Sequence, residues 1–509
     1  MKRRWSGRGM GVPPMRRRGI LPLQNVVGHW ATGKTPVGCT GRMPVPRMLG
    51  VLIVAGVLVT VPPELTAGEI PAAFDVAPRA GRNDSVIQRQ PDVAYGAGVY
   101  LAAWSSGSRD ADHPACEIRC GRIDAKTLKP LDEEGIVICP PGDLREWPAV
   151  AFDGSNFLVV WQDFRSHKHY DIYAARVSPK GKVLDPGGFV VAAQACNQAR
   201  PKVAFAGGNF VVAWVDARVY PVYGIYAARV SPEGKVIDGE GFVVDAEDPQ
   251  AIAKVRPPGQ SWMGEHDYWW QHLASRYEPV VASRGEQCLV AFVREKPFAQ
   301  KDRPVPAAAV VNGATGKIDI PPVLLSSGEH DVPAVCPTKD GWCVVLIDHG
   351  HGWSPAARLA AIRLDARLAT HDAFARPGKS EADRLPLEDF AKTLIPKECG
   401  SLNPGKGSVA FWRPAAAWDG KQVVTAFDFG WRNRRDANAI TYVIALNRVG
   451  PDQSAFTSPA STVVASTTRA DQAVANPALA AGSDGQVLLV YEHDQGVDRQ
   501  TIRALAVGR

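Results

Sequence analysis

Apolar residues in this chain fall in short runs bounded by Gly, Pro, Asp and Asn, the spacing of strands and tight turns rather than of helices. Pro148-Ala149-Val150-Ala151-Phe152 leads into the turn Asp153-Gly154-Ser155-Asn156 and then the run Phe157-Leu158-Val159-Val160-Trp161. Fifty-three residues on, the pattern returns as Pro201 to Phe205, Ala206 to Asn209 and Phe210 to Trp214. The following halves match as well: Ile172-Tyr173-Ala174-Ala175-Arg176-Val177 aligns with Ile225-Tyr226-Ala227-Ala228-Arg229-Val230, each before a Ser-Pro-x-Gly turn. A fixed period of this length marks a repeat architecture.

Each unit predicts four strands. The first starts at a proline, tolerable where no ladder donor is lost. The second is apolar throughout and ends in Trp, as for a strand buried on both faces. The third is the Ile-Tyr-Ala-Ala-Arg-Val segment, and the fourth is Phe189-Val190-Val191 or Phe242-Val243-Val244. The proline recurs at Pro91, Pro148, Pro201, Pro279, Pro333, Pro414 and Pro477. The reading is an all-β, seven-bladed β-propeller, with six or eight blades if a degenerate unit is miscounted. The last unit stops after a third strand, Thr501 to Val507, and Phe74 and Val76 near the start are expected to pair with it around Ile502 and Leu505. That closure removes exposed sheet edges. Two insertions, 245–277 and 368–411, are expected on one face, the top, with short helices at Glu265 to Arg276 and Leu387 to Leu394. Further top-face insertions are expected at 293–306, 347–358 and 450–475.

These blades resemble the secreted, roughly fifty-residue propeller repeats of environmental bacteria. The resemblance is sharp over 91–244 and weaker over the rest of 73–507. It implies a propeller and an exported protein, and no particular activity. The Ser-x-Asp-x-Gly-x-Thr-Trp box of sialidases and the Asp-x-Asp-x-Asp-Gly calcium loop are absent, and Gly-His and Trp-Asp do not recur as a paired signature in the blades.

Charge changes the picture of the chain's start. The net charge of +6 is concentrated there: residues 1–67 hold ten Lys and Arg and one acid, which leaves −3 for residues 68–509. The body therefore gives no electrostatic reason to bind nucleic acid. Met48 to Val61 is apolar apart from Thr60, follows Arg47 and ends at Pro62-Pro63, a signal-peptide core by length. Residues 1–67 read as a leader, cleaved before Gly68, and 68–509 as one propeller domain, exported to the periplasm, cell surface or medium. An uncleaved anchor is the other reading; no second membrane span follows. Of nine cysteines, Cys39 lies in the leader. Cys336 and Cys343 flank the turn Thr338 to Gly341 and would face each other across a hairpin, as a disulfide or as two thiols.

The chemistry is expected on the top face. The residues before the anchor prolines are Gln90, Trp147, Arg200, Glu278, Val332, Arg413 and Asn476. They are expected in extended backbone at the mouth of a central funnel. Their polar character leaves two readings, a self-paired set with Glu278 offsetting Arg200 or Arg413, or a ligand site in which the two arginines hold an anionic group. Trp269 and Trp270 in the first insertion, and Trp431 and Arg432 in a second aromatic and basic loop, are expected to give rim contacts. Asp163 and Arg165 recur as Asp216 and Arg218 and read as an intrablade brace, with Asp348, Asp428 and Glu492 at related positions. His167 and His169, or His349 and His351, are a metal pair or solvated loop histidines, the latter favoured, and no cofactor motif is present. The function expected is non-catalytic binding of a carbohydrate or an exported protein by a monomer. The alternatives are a carbohydrate-active hydrolase or lyase using top-face carboxylates, and a structural part of a cell-surface assembly.

Overall fold

The structure is a computed structural model that describes residues 72–80, 86–108, 116–219, 222–248, 276–294, 305–325, 330–348, 358–369, 408–432, 440–449, 462–467, 473–495 and 500–507. The described residues lie in one compact unit, Leu65–Arg509. The expected leader, residues 1–67, falls outside them.

The protein is an all-β propeller. Four sheets have four strands each: β6 (Arg145–Phe152), β7 (Phe157–Asp163), β8 (Asp171–Val177) and β9 (Phe189–Ala192); β10 (Gln198–Ala206), β11 (Asn209–Asp216), β12 (Gly224–Val230) and β13 (Phe242–Asp245); β14 (Arg276–Arg284), β15 (Gln287–Arg294), β16 (Val305–Asn312) and β17 (Ile318–Leu324); and β21 (Ser408–Trp418), β22 (Val423–Arg432), β23 (Ile440–Val449) and β24 (Thr462–Thr467). A fifth has three: β18 (His330–Pro337), β19 (Gly341–Asp348) and β20 (Arg358–Asp365). The chain ends share an eight-stranded sheet of β1 (Phe74–Asp75), β2 (Val86–Gly96), β3 (Val99–Ser108), β4 (Cys116–Asp124), β5 (Ile136–Gly142), β25 (Ala473–Ala481), β26 (Val487–Asp494) and β27 (Gln500–Val507).

This corrects the expected seven separate four-stranded blades, and the six or eight allowed beside them. Five blades stand as separate sheets. The strands of both chain ends merge, because a parallel bridge between Ile87 and Gln500 carries β27 into β2. A single short bridge leaves no trace in the period of the sequence. No helix occurs among the described residues, and the expected helices fall almost wholly outside them. Leu387 to Leu394 and most of Glu265 to Arg276 lie outside them, and Arg276 opens strand β14. Within the expected insertion 450–475, Thr462 to Thr467 form strand β24.

Closure follows the expected residues. Phe74 pairs with Ala504 and Asp75 with Arg503, and the Val76 amide donates to Ile502 O at 2.9 Å. Ile502 in turn donates its amide to Gln88 Oε1 at 3.0 Å. Val76 is fully buried, so the N-terminal strand belongs to the core.

Second strands are buried on both faces as their composition demands: every residue of β7 is buried, and Trp104, Trp161 and Trp214 are wholly enclosed. The turn before β7 works because Gly154 takes a φ of 100°, open only to glycine, while Asp153 Oδ1 accepts the Ser155 and Asn156 amides. At the same end of the blades, the arginine near the close of the third-strand motif joins neighbours. Arg176 forks onto Asp185 at 2.8 and 2.9 Å and donates a further N–H to Pro232 O of the next sheet. Arg122 does the same with Asp132 and Pro179 O, and Arg229 with Asp238 and Ala314 O. Cys336 and Cys343 are opposite one another in β18 and β19, both as buried free thiols.

Candidate functional site

The innermost strands β2, β6, β10, β14, β18, β21 and β25 each pack on the next, and β25 packs on β2, so they ring a central axis. Every one of them loses register with its neighbouring strand at the anchor proline: the shifts fall between Arg89 and Asp92, Glu146 and Ala149, Ala199 and Lys202, Tyr277 and Val280, Asp331 and Ala334, Phe411 and Pro414, and Ala475 and Ala478. These are β-bulges, sites where a strand re-aims a side chain and a missing proline N–H costs nothing.

The bulge overturns the expected extended backbone. Gln90, Trp147, Arg200, Glu278 and Asn476 have φ between 51° and 58°, in the left-handed region. None is β-branched, as that region requires. Side-chain acceptors hold five of the pre-proline amides, four of them in that region. Trp147 N donates to Gln90 Oε1 at 2.9 Å, Arg200 N to Gln162 Oε1 at 3.0 Å, Arg413 N to Asp428 Oδ1 at 2.9 Å and Asn476 N to Asp428 Oδ2 at 3.0 Å. Gln90 N donates to Glu492 Oε1 at 2.5 Å. The acceptors come from the position after the bulky second-strand residue, in Trp161-Gln162, Phe427-Asp428 and Tyr491-Glu492, and from Gln90 itself. They lace one sheet to the next around the axis.

This separates two sets that the sequence joined. Asp163 lies two residues after Trp161 and accepts its indole N–H at 2.8 Å, with Arg165 at 2.6 Å and Arg145 at 3.1 Å. Asp216 repeats the contact with Trp214 at 2.8 Å and Arg218 at 2.7 Å. Arg165 and Arg218 then cover Tyr173 and Tyr226 at 3.8 and 4.1 Å. These are braces, as expected. Asp428 and Glu492 lie one residue earlier, and in a strand one residue flips the face. They point toward the axis, not into the blade.

Burial acts on both groups. It would push Asp163 up, but the N–H groups of Arg165 and Trp161 outweigh it and hold the carboxyl below the ordinary range. Asp428 accepts hydrogen bonds from backbone amides, and burial pushes it up to about 6 against those amides and the Arg413 charge. Burial likewise raises Glu492, against the Gln90 amide and the Asn476 side chain, and raises Asp92, against Lys202 and the Val150 amide.

The ring encloses a cavity of about 270 Å³. Gln90, Trp147, Arg200, Glu278, Arg413 and Asn476 form its mouth, the prolines a collar, and Val93, Val150, Val203, Val281, Val335, Ala416 and Leu479 its lower wall. Asp92 and Lys202 also line it, two residues that the sequence reading passed over. Their signal was available, as the only charged side chains directly after an anchor proline.

Four expected site residues meet here. The guanidinium carbons of Arg200 and Arg413 lie 4.1 and 4.0 Å from the Trp147 ring centroid. Glu278 Oε1 is 2.8 Å from Arg200 Nη1 and 3.9 Å from Arg413 Nη2. Arg200 Nη1 is buried and forms no aligned hydrogen bond, so its contact with Glu278 is an ion pair off the N–H direction. Burial and Arg200 lower the Arg413 pKa while Glu278 opposes them. Surrounded by protein yet a quarter exposed, Arg413 reaches the cavity rather than bulk water. Trp269 and Trp270 lie outside the described residues, as do His349, His351, the side chain of Val332, and those of Trp431 and Arg432 at the end of β22. His167 sits 3.4 Å from Asp143, and among the described residues no group of three or more His, Cys, Asp or Glu is arranged to hold a metal.

No protein-family model and no curated protein matches the chain. Among solved structures it is similar to a protein of unknown function from Dyadobacter fermentans, at 13% identity and a TM-score of 0.41, over 86% of this chain and 99% of that one. It is also similar to the GH93 alpha-L-arabinofuranosidase of Fusarium graminearum, at 12% identity and TM-score 0.39, over 86% and 98%. An endo-arabinase from Bacteroides thetaiotaomicron matches at 12% and TM-score 0.34, over 55% and 95%. Likenesses this loose say nothing about this chain's activity.

Proposed function

We propose that the protein is an exported, non-catalytic propeller that binds a carbohydrate in its axial funnel. The observation that carries this is the convergence of polar side chains from five inner strands and an indole from a sixth on one open cavity of about 270 Å³, a volume that suits a monosaccharide or the end of a chain. The prolines and valines below them supply apolar contact for ring carbons. Pairing of the acids supports binding over hydrolysis: Glu278 meets Arg200, Asp92 accepts the Val150 amide at 3.0 Å, and the blade acids are spent on arginines. A hydrolase needs two carboxyl groups free to act on one bond. Export rests on the apolar segment 48–61 and on the resemblance to secreted repeats.

The test is a glycan array together with a panel of chromogenic glycosides, run on protein collected outside the cytoplasm and sequenced at its N-terminus. The proposal expects array binding, no turnover, and a chain starting near Gly68. Turnover abolished by Glu278→Gln would replace binding with catalysis, and recovery of Met1 in exported material would remove the leader.

A further inference from the structure

Resting on the carbohydrate reading of the funnel, we infer that the sugar it takes carries one carboxylate, as a hexuronate does. The argument starts from hydrogen-bond supply. A guanidinium has five N–H donors in a planar fork and must find acceptors when enclosed. Arg200 and Arg413 bring two such forks to one indole, and the single carboxylate beside them, Glu278, touches both with the same oxygen. Neither guanidinium has an aligned hydrogen bond among the described residues, and Arg200 Nη1 is buried without one.

The neighbouring acids do not relieve them. Asp428 spends both oxygens on backbone amides. Glu492 spends Oε1 on Gln90 N and Asn476 Nδ2, and Oε2 on Gln500 Nε2. The exposed quarter of each arginine therefore faces the cavity with donors to give, and a planar carboxylate matches a fork two N–H groups at a time.

Charge sets the number of carboxylates. Among the described residues lining the cavity, Arg200, Lys202 and Arg413 stand against Asp92 and Glu278, leaving one positive charge. With Asp428 and Glu492 behind that wall the balance is three cations against four acids, which opposes a second negative charge on the ligand still more. A second negative charge on the ligand would find no cation of its own. Glu278 then acts as a fixed internal anion that limits the site to singly charged sugars.

The experiment is calorimetry of the mature protein with three sets of monosaccharides: glucuronate, galacturonate and mannuronate; glucose, galactose and mannose; and the 6-phosphates of the last three. At least one hexuronate should bind roughly tenfold or more tighter than its neutral counterpart, and tighter than the 6-phosphate. Arg200→Lys and Arg413→Lys keep the charge but lose the fork, and should erase most of that preference. Glu278→Gln should strengthen uronate binding and admit the 6-phosphate. Equal affinity for uronate and neutral sugar overturns the inference and leaves the carbohydrate reading intact. Absence of binding to every sugar here and on the array removes the carbohydrate reading itself.

Discussion

Asp428→Asn tests how the ring of bulges is held. Asp428 is 1% exposed, and its two oxygens accept the amides of Arg413 and Asn476 from successive sheets. Burial lifts its pKa from 3.8 to about 6. A folded-state pKa above the unfolded one means that the fold binds the proton more tightly. Asp428 thus adds stability that is complete below about pH 3.8 and is lost as the pH rises through about 6. Between pH 7 and pH 5 the native protein should gain about 1.3 kcal/mol from this group. Asparagine does not titrate, so the variant lacks this gain. It also offers one acceptor where two amides need one, which costs about 1–3 kcal/mol. At pH 7 that loss is offset by relief of the buried charge, so the variant should unfold close to the native midpoint. At pH 5 it should be the weaker protein by about 1.3 kcal/mol more than at pH 7. Urea unfolding at pH 5, 6 and 7 measures this directly, and the native-minus-variant difference isolates Asp428 from Glu492 and Asp92, which shift the same way. A difference that stays constant from pH 5 to 7 would refute the assignment of Asp428 as a buried carboxyl whose burial outweighs its amide bonds and the Arg413 charge.

Two further outcomes follow from contacts elsewhere in the fold. Asp163→Ala strips the acceptor from Trp161 and leaves Arg145 and Arg165 facing a void, and should cost about 3–5 kcal/mol in urea unfolding; a loss under about 1 kcal/mol would mean that the brace is idle. Removing residues 73–77 takes away buried Val76 and its bond to Ile502, and should lower the thermal midpoint through a loss of roughly 3 kcal/mol or more; an unchanged melting curve would contradict the closure by β1.

The strands, their turns and the closure by Phe74 were legible because they depend on period and composition, which a chain states locally. The Trp-Asp-Arg brace was legible for the same reason, being within one strand and its turn. The count of separate sheets was not, since it turns on one bridge between Ile87 and Gln500, far apart in the chain. The pre-proline residues were identified as the funnel's mouth, but their backbone was misjudged. Local sterics favour an extended residue before proline, and the left-handed turn at Arg200 is held instead by Gln162 from the preceding sheet. The same kind of distance hid Asp428, whose role lies one residue from the position it was compared with. Trp147 lines the axial cavity, where its ring meets two guanidiniums, a contact no local pattern encodes.

The bulge delivers to the axis whatever side chain precedes each proline. The funnel's surface is thus spelled with one letter per inner strand, each set on a scaffold that does not read it. Changing Arg200, Glu278 or Arg413 rewrites what the mouth presents while strands and turns stay as they are, so binding preference can drift nearly free of folding. Gln90 and Asn476 are exceptions, because the Gln90 side chain props the amide of Trp147 and the Asn476 side chain donates to buried Glu492. A descendant of this protein, or a library built on it, can explore new ligands through a handful of codons, and should keep glutamine at position 90 and asparagine at position 476 while it does so.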